Sequence, residues 1–171
     1  MAGRPAPEAE RASSVAIEKD EIRLADAADC AAVVLCVRAA YSKYVARIGR
    51  APAPMLADYA TLIERGVVHV LREPTTDHLR GIIVLWPTDG AMFIENVAVH
   101  PHYQAQGLGR RLMAFAEEQA RAGGFPELRL YTNEAMTENL AFYAHLGFEE
   151  TSRRVDEGYS RVFLRKKLSR V

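Results

Sequence analysis

Cysteine is scarce: the 171 residues contain two, Cys30 and Cys36. Two thiols six positions apart cannot form a disulfide framework, and a reduced, cytoplasmic setting is expected. An excess of charge is also missing. Lysine plus arginine equals aspartate plus glutamate, 22 each, so no global field draws the chain to nucleic acid or an anionic membrane. No apolar run reaches membrane-spanning length. The opening "MAGRPAPEAERASS" lacks the apolar stretch of a signal peptide. Its Ala, Pro, Glu and Arg content predicts a disordered tail over residues 1–20, followed by a single domain over 21–171. Two nucleotide fingerprints are absent as well. There is no G-x-x-x-x-G-K-S/T string and no G-x-G-x-x-G string.

What is present is ordinary for a folded domain: 49% apolar and 26% charged residues, without internal repeats. Ile22 to Leu24 reads as a short strand. Asp26 is placed to cap a helix through "AADCAAVVLCVRAAYSKYV", with Val33, Val34, Val37 and Ala40 on one face. "RIGRAPAPM" breaks it, and "LADYATLIERG" predicts a short helix ending at Gly66. Three β-branched runs follow, "VVHVLRE", "LRGIIVLWP" and "AMFIENVAV". A helix from Leu108 to Ala122 carries Leu108, Leu112, Phe115 and Ala116 on one face. Then come the strand "LRLYT", the helix "TENLAFYAHLG" and the strand "RVFLRKKL", which pairs with residues near 148–155. The expected class is α/β to α+β: a mixed sheet of six to seven strands flanked by about four helices.

The informative segment is "ENVAVHPHYQAQGLGRRL", Glu95 to Leu112. A strand stops at a proline, two glycines follow, and two arginines open a helix. Acidic residues normally favour that end, because its free N–H groups carry partial positive charge. A bound phosphate reverses the logic. The free amides and the dipole attract the anion, the glycines let the backbone come close, and Arg110 and Arg111 become partners. A solvated surface loop is the other reading.

Gln104, Gly107 and Gly109 follow Q-x-x-G-x-G after the strand "NVAVHP", and "ENLAFYAHLGFEE" lies downstream. Together these resemble the acetyl-CoA-binding motif and the tyrosine-bearing helix of the GNAT N-acetyltransferase superfamily, and the element order fits from Ile22 to Leu168. The resemblance implies that the backbone of Val97, Ala98 and Val99 pairs with the pantetheine arm as an added strand would. It implies that Ala105, Gln106, Gly107, Leu108, Gly109 and Arg110 wrap the pyrophosphate. The implied activity is direct transfer of acetyl from acetyl-CoA to a primary amine of a small molecule or a protein. A non-catalytic acyl-CoA-binding or sensor domain is the alternative. A protein-acetylating module would need a wide, charged groove. No metal, nucleic acid or membrane is implied, and a homodimer is admissible.

A lysine-like amine, with a pKa near ~10.4, is mostly protonated at pH 7, so transfer needs a base for the amine and a proton donor for the thiolate. The resemblance places Tyr143 near the thioester sulfur as the donor, with Asn139 one turn earlier; packing alone would also explain Tyr143. Glu95 interrupts an apolar strand, and alternation puts it on one face with Phe93 and Val97. It is the candidate base, or else half of a structural ion pair. Family members commonly carry an acidic base on the fifth strand and an asparagine seven residues before the tyrosine. Tyr131 and Met136 stand there, so cofactor contacts are expected to shift to Asn139 or Asn133. His69 is a weaker base candidate. On the acceptor side Tyr41, Tyr44, Arg47, Arg50 and Asp58 are candidates, with Arg47 and Arg50 suited to a carboxylate.

Overall fold

The computed structural model describes residues 21–169, so the tail expected over 1–20 lies outside the described residues. Seven strands and four α-helices alternate as the sequence predicts. β1 (Glu21–Leu24) leads through an Asp26-capped 3-10 turn into α1 (Cys30–Ile48). α2 (Tyr59–Glu64) is followed by β2 (Val68–Arg72), β3 (Leu79–Thr88) and β4 (Ala91–Val99). α3 (Leu108–Ala122), β5 (Glu127–Asn133), α4 (Thr137–His145), β6 (Glu149–Asp156) and β7 (Tyr159–Lys167) complete the chain.

The strands form one sheet in the order β1-β2-β3-β4-β5-β7-β6. β1 to β4 make an antiparallel meander, and α3 is the crossover that lets β5 run parallel to β4. β7 enters between β5 and β6, antiparallel to both.

Each face carries its own core. On one side α3 and α4 lay Leu112, Met113, Ala116 and Tyr143 against Leu71, Ile83, Ile94 and Leu130. On the other, α1 and α2 lay Val33, Val37, Tyr41 and Ile63 against Val68, Val70, Ile82 and Ala98. Burying a Leu or Val side chain contributes roughly 1.5–3 kcal/mol, so the paired apolar stripes set the helix positions.

Two irregularities matter for function. The β3–β4 register steps from Val84↔Asn96 to Leu85↔Ile94, leaving Glu95 as an extra residue in β4. This β-bulge corrects the alternation expected from sequence. Phe93 stacks on Trp86, which packs against the α1 side, whereas Val97 packs against the α3 side. Phe93 and Val97 thus lie on opposite faces because the bulge shifts the period by one. The second irregularity is a parting of strands. β4 and β5 pair only over Met92↔Leu128, Phe93↔Arg129 and Ile94↔Leu130. Beyond the bulge the strands separate, and β4 from Glu95 to Val99 has no strand neighbour on its β5 side.

Candidate active site

An open cleft runs along this unpartnered edge to the start of α3. Its lining includes Val97, Ala98, Val99, Gln104, Ala105, Gly107, Leu108, Gly109 and Arg110. The turn leaves backbone donors open at the start of α3. Gly107 is the N-cap residue at φ 79°, in the left-handed region, and no side chain caps the first amides of α3. Ala105 is also left-handed, at φ 61°, at a cost of about 1–2 kcal/mol that the surrounding turn must sustain. Uncapped amides, a helix dipole and the lining Arg110 fit a pyrophosphate. Gly109 has a different duty. A Cβ there would sit 3.3 Å from Phe142 Cζ, so this glycine lets α4 dock on the first turn of α3. The Gln104 side chain donates to Val99 O at 3.0 Å, tying the turn to β4. Gln106 is exposed and outside the lining.

A second, inner pocket lies beyond the parting of β4 and β5. It is narrow, and the space of about 520 Å³ at this place includes open solvent at its mouth. Tyr41, Val97, Asn139 and Tyr143 line both cavities, so the two meet at these side chains. Tyr143 is buried, with its ring between Phe142 and Phe148 at 5.4 and 5.6 Å. Burial pushes its pKa well above the usual phenol value, so it keeps its proton at working pH. No described residue hydrogen-bonds its hydroxyl.

Glu95 lies in the inner pocket. Burial raises its pKa, while the Tyr131 hydroxyl, donating to Oε1 at 2.9 Å, and the charge of Arg161 pull the other way. Tyr131 therefore occupies the expected fifth-strand base position as the partner of a base candidate on β4. Arg161, which the sequence reading missed, is a buried cation in the same wall. Its guanidinium lies 4.1 Å from the Tyr131 ring centroid and pairs with Asp156 at 2.6 Å and Glu157 at 2.9 Å. The single charged residue of "YSRVF" was no signal in a chain with 22 cationic residues.

Asn96 was also missed. It accepts from the Tyr41 hydroxyl at 2.6 Å and donates to the Tyr59 hydroxyl at 2.9 Å, and Tyr59 donates to Pro54 O at 2.7 Å. The Tyr41 hydroxyl also lies 3.1 Å from Val97 O. The chain of bonds ties the 52–54 turn, which roofs the inner pocket, to the cleft strand. Buried polar groups so fully satisfied rigidify a site.

The expected acceptor residues separate. Tyr41 stands at the junction, and Tyr44 lines only the outer cleft. Arg47 lines neither cavity: it pairs with Glu138 at 2.7 Å and donates to Ala135 O. Arg50 stacks on Tyr159 at 4.0 Å, and Asp58 caps α2 through Thr61. Asn133 is committed to its own turn, accepting from the Ala135 amide at 2.9 Å, whereas Asn139 Nδ2 reaches only the Met136 sulfur at 3.5 Å. His69 lines neither cavity; it packs on Phe115 of α3 with its Nδ1 buried and unpartnered. Among the described residues there is no cluster suited to a metal and no helix long and apolar enough to cross a membrane.

Solved structures with this architecture include the PaiA N-acetyltransferase of Thermoplasma acidophilum in complex with coenzyme A, with a TM-score of 0.71 at 20% identity over 86% of this chain and 98% of that one. The ribosomal-protein-S18-alanine N-acetyltransferase of Escherichia coli matches with a TM-score of 0.70 at 20% identity, over 89% of this chain and 96% of that one. Among curated proteins, N-alpha-acetyltransferase 80 of Mus musculus is 42% identical over 59 residues, 34% of this chain. The uncharacterized N-acetyltransferase YjgM of Escherichia coli is 43% identical over 49 residues, 29% of this chain. These matches span only 18% and 29% of the two relatives' own lengths. The family profile for the acetyltransferase (GNAT) family covers residues 36–148, from the middle of α1 past the end of α4. By that match, the chain belongs to the acetyltransferase (GNAT) family.

Proposed function

We propose that the protein transfers the acetyl group of acetyl-CoA to a primary amine, with Glu95 as base and Tyr143 as proton donor. The observation carrying this reading is the meeting of two cavities at Tyr143: a cleft ending in an uncapped helix start, and a pocket holding a half-buried carboxylate. A binding module has no use for the second cavity.

Acetyl-CoA supplies the acyl thioester. The turn from Ala105 to Arg110 holds its pyrophosphate, and the free edge of Val97 to Val99 hydrogen-bonds its amide-bearing arm, with Asn139 beside it. That docking directs the thioester to the junction. There the acceptor nitrogen bonds to the carbonyl carbon and the carbon–sulfur bond breaks. An ammonium acceptor loses two protons in all. Glu95, directly or through one water, takes one on its way to solvent. The Tyr143 hydroxyl gives its proton to the departing sulfur, and the second ammonium proton restores that hydroxyl, so the products are the amide, the free thiol and one proton released to solvent. Orientation supplies much of the remaining acceleration, since the reacting groups are held at one point.

The test is a screen of primary amines and peptides with acetyl-CoA, reading release of free thiol. Thiol release that depends on an amine, with the acetylated amine found by mass spectrometry, supports the reading. Acetyl-CoA binding without turnover on any amine or peptide overturns it.

A further inference from the structure

The charges around the inner pocket are unevenly matched. Two charged side chains line it, Glu95 and Arg161. Arg161 is only 5% exposed, and each of its terminal nitrogens already holds a carboxylate, Asp156 on one and Glu157 on the other. Arg50, exposed and outside the lining, stacks on Tyr159 and reaches Gly158 O at 3.4 Å. The one guanidinium in the wall therefore has both of its terminal nitrogens committed, and the other charged group of the lining is the Glu95 carboxylate. The remaining walls are uncharged: Tyr131, Tyr143, Tyr159, Met136 and the proline turn supply aromatic and apolar surface, beside the neutral amides of Asn96, Asn133 and Asn139. That turn is pinned at both ends, by Tyr159 to Ala51 O and by Tyr59 to Pro54 O, each at 2.7 Å. A roof so fastened leaves room for a small molecule, not for the folded surface of a protein.

We propose that the acceptor is a small amine cation with an aromatic or apolar body and no carboxylate, and that Glu157 enforces this choice by occupying Arg161. This rests on the amine-transfer reading above. An amino acid would bring its carboxylate toward Glu95 with no free guanidinium in the wall to receive it, and like charges brought together in a partly desolvated site suppress the wrong partner. The matching decarboxylated amine brings no carboxylate against Glu95, and its body stacks on the tyrosines.

Glu157 offers a clean handle. It occupies the first position of a two-residue hairpin between Asp156 and Tyr159, at φ 51°, with Gly158 at φ 78°. Asparagine suits this left-handed turn position better than glutamate, so Glu157→Asn removes the charge without harming the fold.

The experiment compares matched pairs, tyramine with tyrosine, histamine with histidine and cadaverine with lysine, along with a short peptide bearing a free N-terminus. Thiol release from acetyl-CoA is read for wild type and Glu157→Asn. The decarboxylated member should lead by on the order of tenfold or more in kcat/KM. Glu157→Asn should narrow that lead several-fold by improving the amino acid, with Tm unchanged or raised. Amino acids or the peptide used as well as the amines would overturn the proposal and leave amine transfer standing, as would a lead that Glu157→Asn does not change. A carboxylate preference abolished by Arg50→Gln would overturn it in favour of a rim anion site. Failure of every acceptor while calorimetry shows acetyl-CoA bound would overturn amine transfer itself, and this proposal with it.

Discussion

The Tyr131 hydroxyl donates to Glu95 Oε1 across 2.9 Å, joining β5 to β4 just past the last paired residues of those strands, Ile94 and Leu130. The bond ties the carboxylate to a ring that is itself stacked under Arg161. It also sets the carboxylate's proton affinity, because a donor to the charged form favours that form.

Removing that donor has a signed consequence. Tyr131→Phe should raise the Glu95 pKa further, since burial then acts with less opposition. The acid limb of the pH–rate profile for kcat/KM should move to higher pH. Glu95→Gln should be slow near pH 7, by roughly 10²–10⁴ for the loss of a general base, and recover partly at high pH where free amine is abundant. A Tyr131→Phe profile superimposable on wild type would detach Glu95 from catalysis.

Tyr143→Phe deletes one oxygen from a buried ring and leaves its packing against Phe142 and Phe148 intact. Acetyl-CoA affinity and Tm should hold while kcat falls about ten- to a thousandfold, at or below the usual range for a lost proton donor. Unchanged turnover across pH would reduce Tyr143 to a packing residue.

Gly107→Glu places a side chain where φ is 79° and a negative charge beside the uncapped amides of α3. Nothing lies within 4 Å of a Cβ at this position, so the defect should appear as lost acetyl-CoA binding. Calorimetry should show affinity down by an order of magnitude or more, because the carboxylate competes for the phosphate's donors. Gly109→Glu is less specific, because Phe142 stands in its way. Full affinity in folded Gly107→Glu would remove the pyrophosphate from this turn.

His69 carries a stability prediction. Its Nδ1 is buried without a partner, and burial lowers its pKa below the usual 6.5. The unfolded chain therefore takes up a proton more readily than the folded one. The stability linked to neutral His69 is complete above pH 6.5 and drains away as pH falls below it. Wild type should lose more Tm than His69→Leu between pH 7.5 and pH 5. Equal losses would show that the ring is solvated or partnered when charged.

Much of this molecule was legible in its residue order. Helix and strand periods, the Asp26 cap and the glycine-rich turn are local, each decided within a few positions of the chain. The motifs that carry the family resemblance, the Q-x-x-G-x-G turn and the helix bearing Tyr143, are contiguous stretches of the same kind. The tertiary structure decided everything that depends on partners far apart in sequence. Glu95 meets Tyr131 across 36 positions, and Asn96 meets Tyr41 across 55 and Tyr59 across 37. Arg47, suited by type to a substrate carboxylate, is held by Glu138 from 91 positions away. The bulge at Glu95 belongs to the same class. Its β4 stretch reads as a regular alternating strand, and only the register imposed by β3 reveals the extra residue. That one residue ends the β4–β5 pairing and opens the gap. Local chemistry thus specified which parts exist, and long-range packing specified which of them face one another.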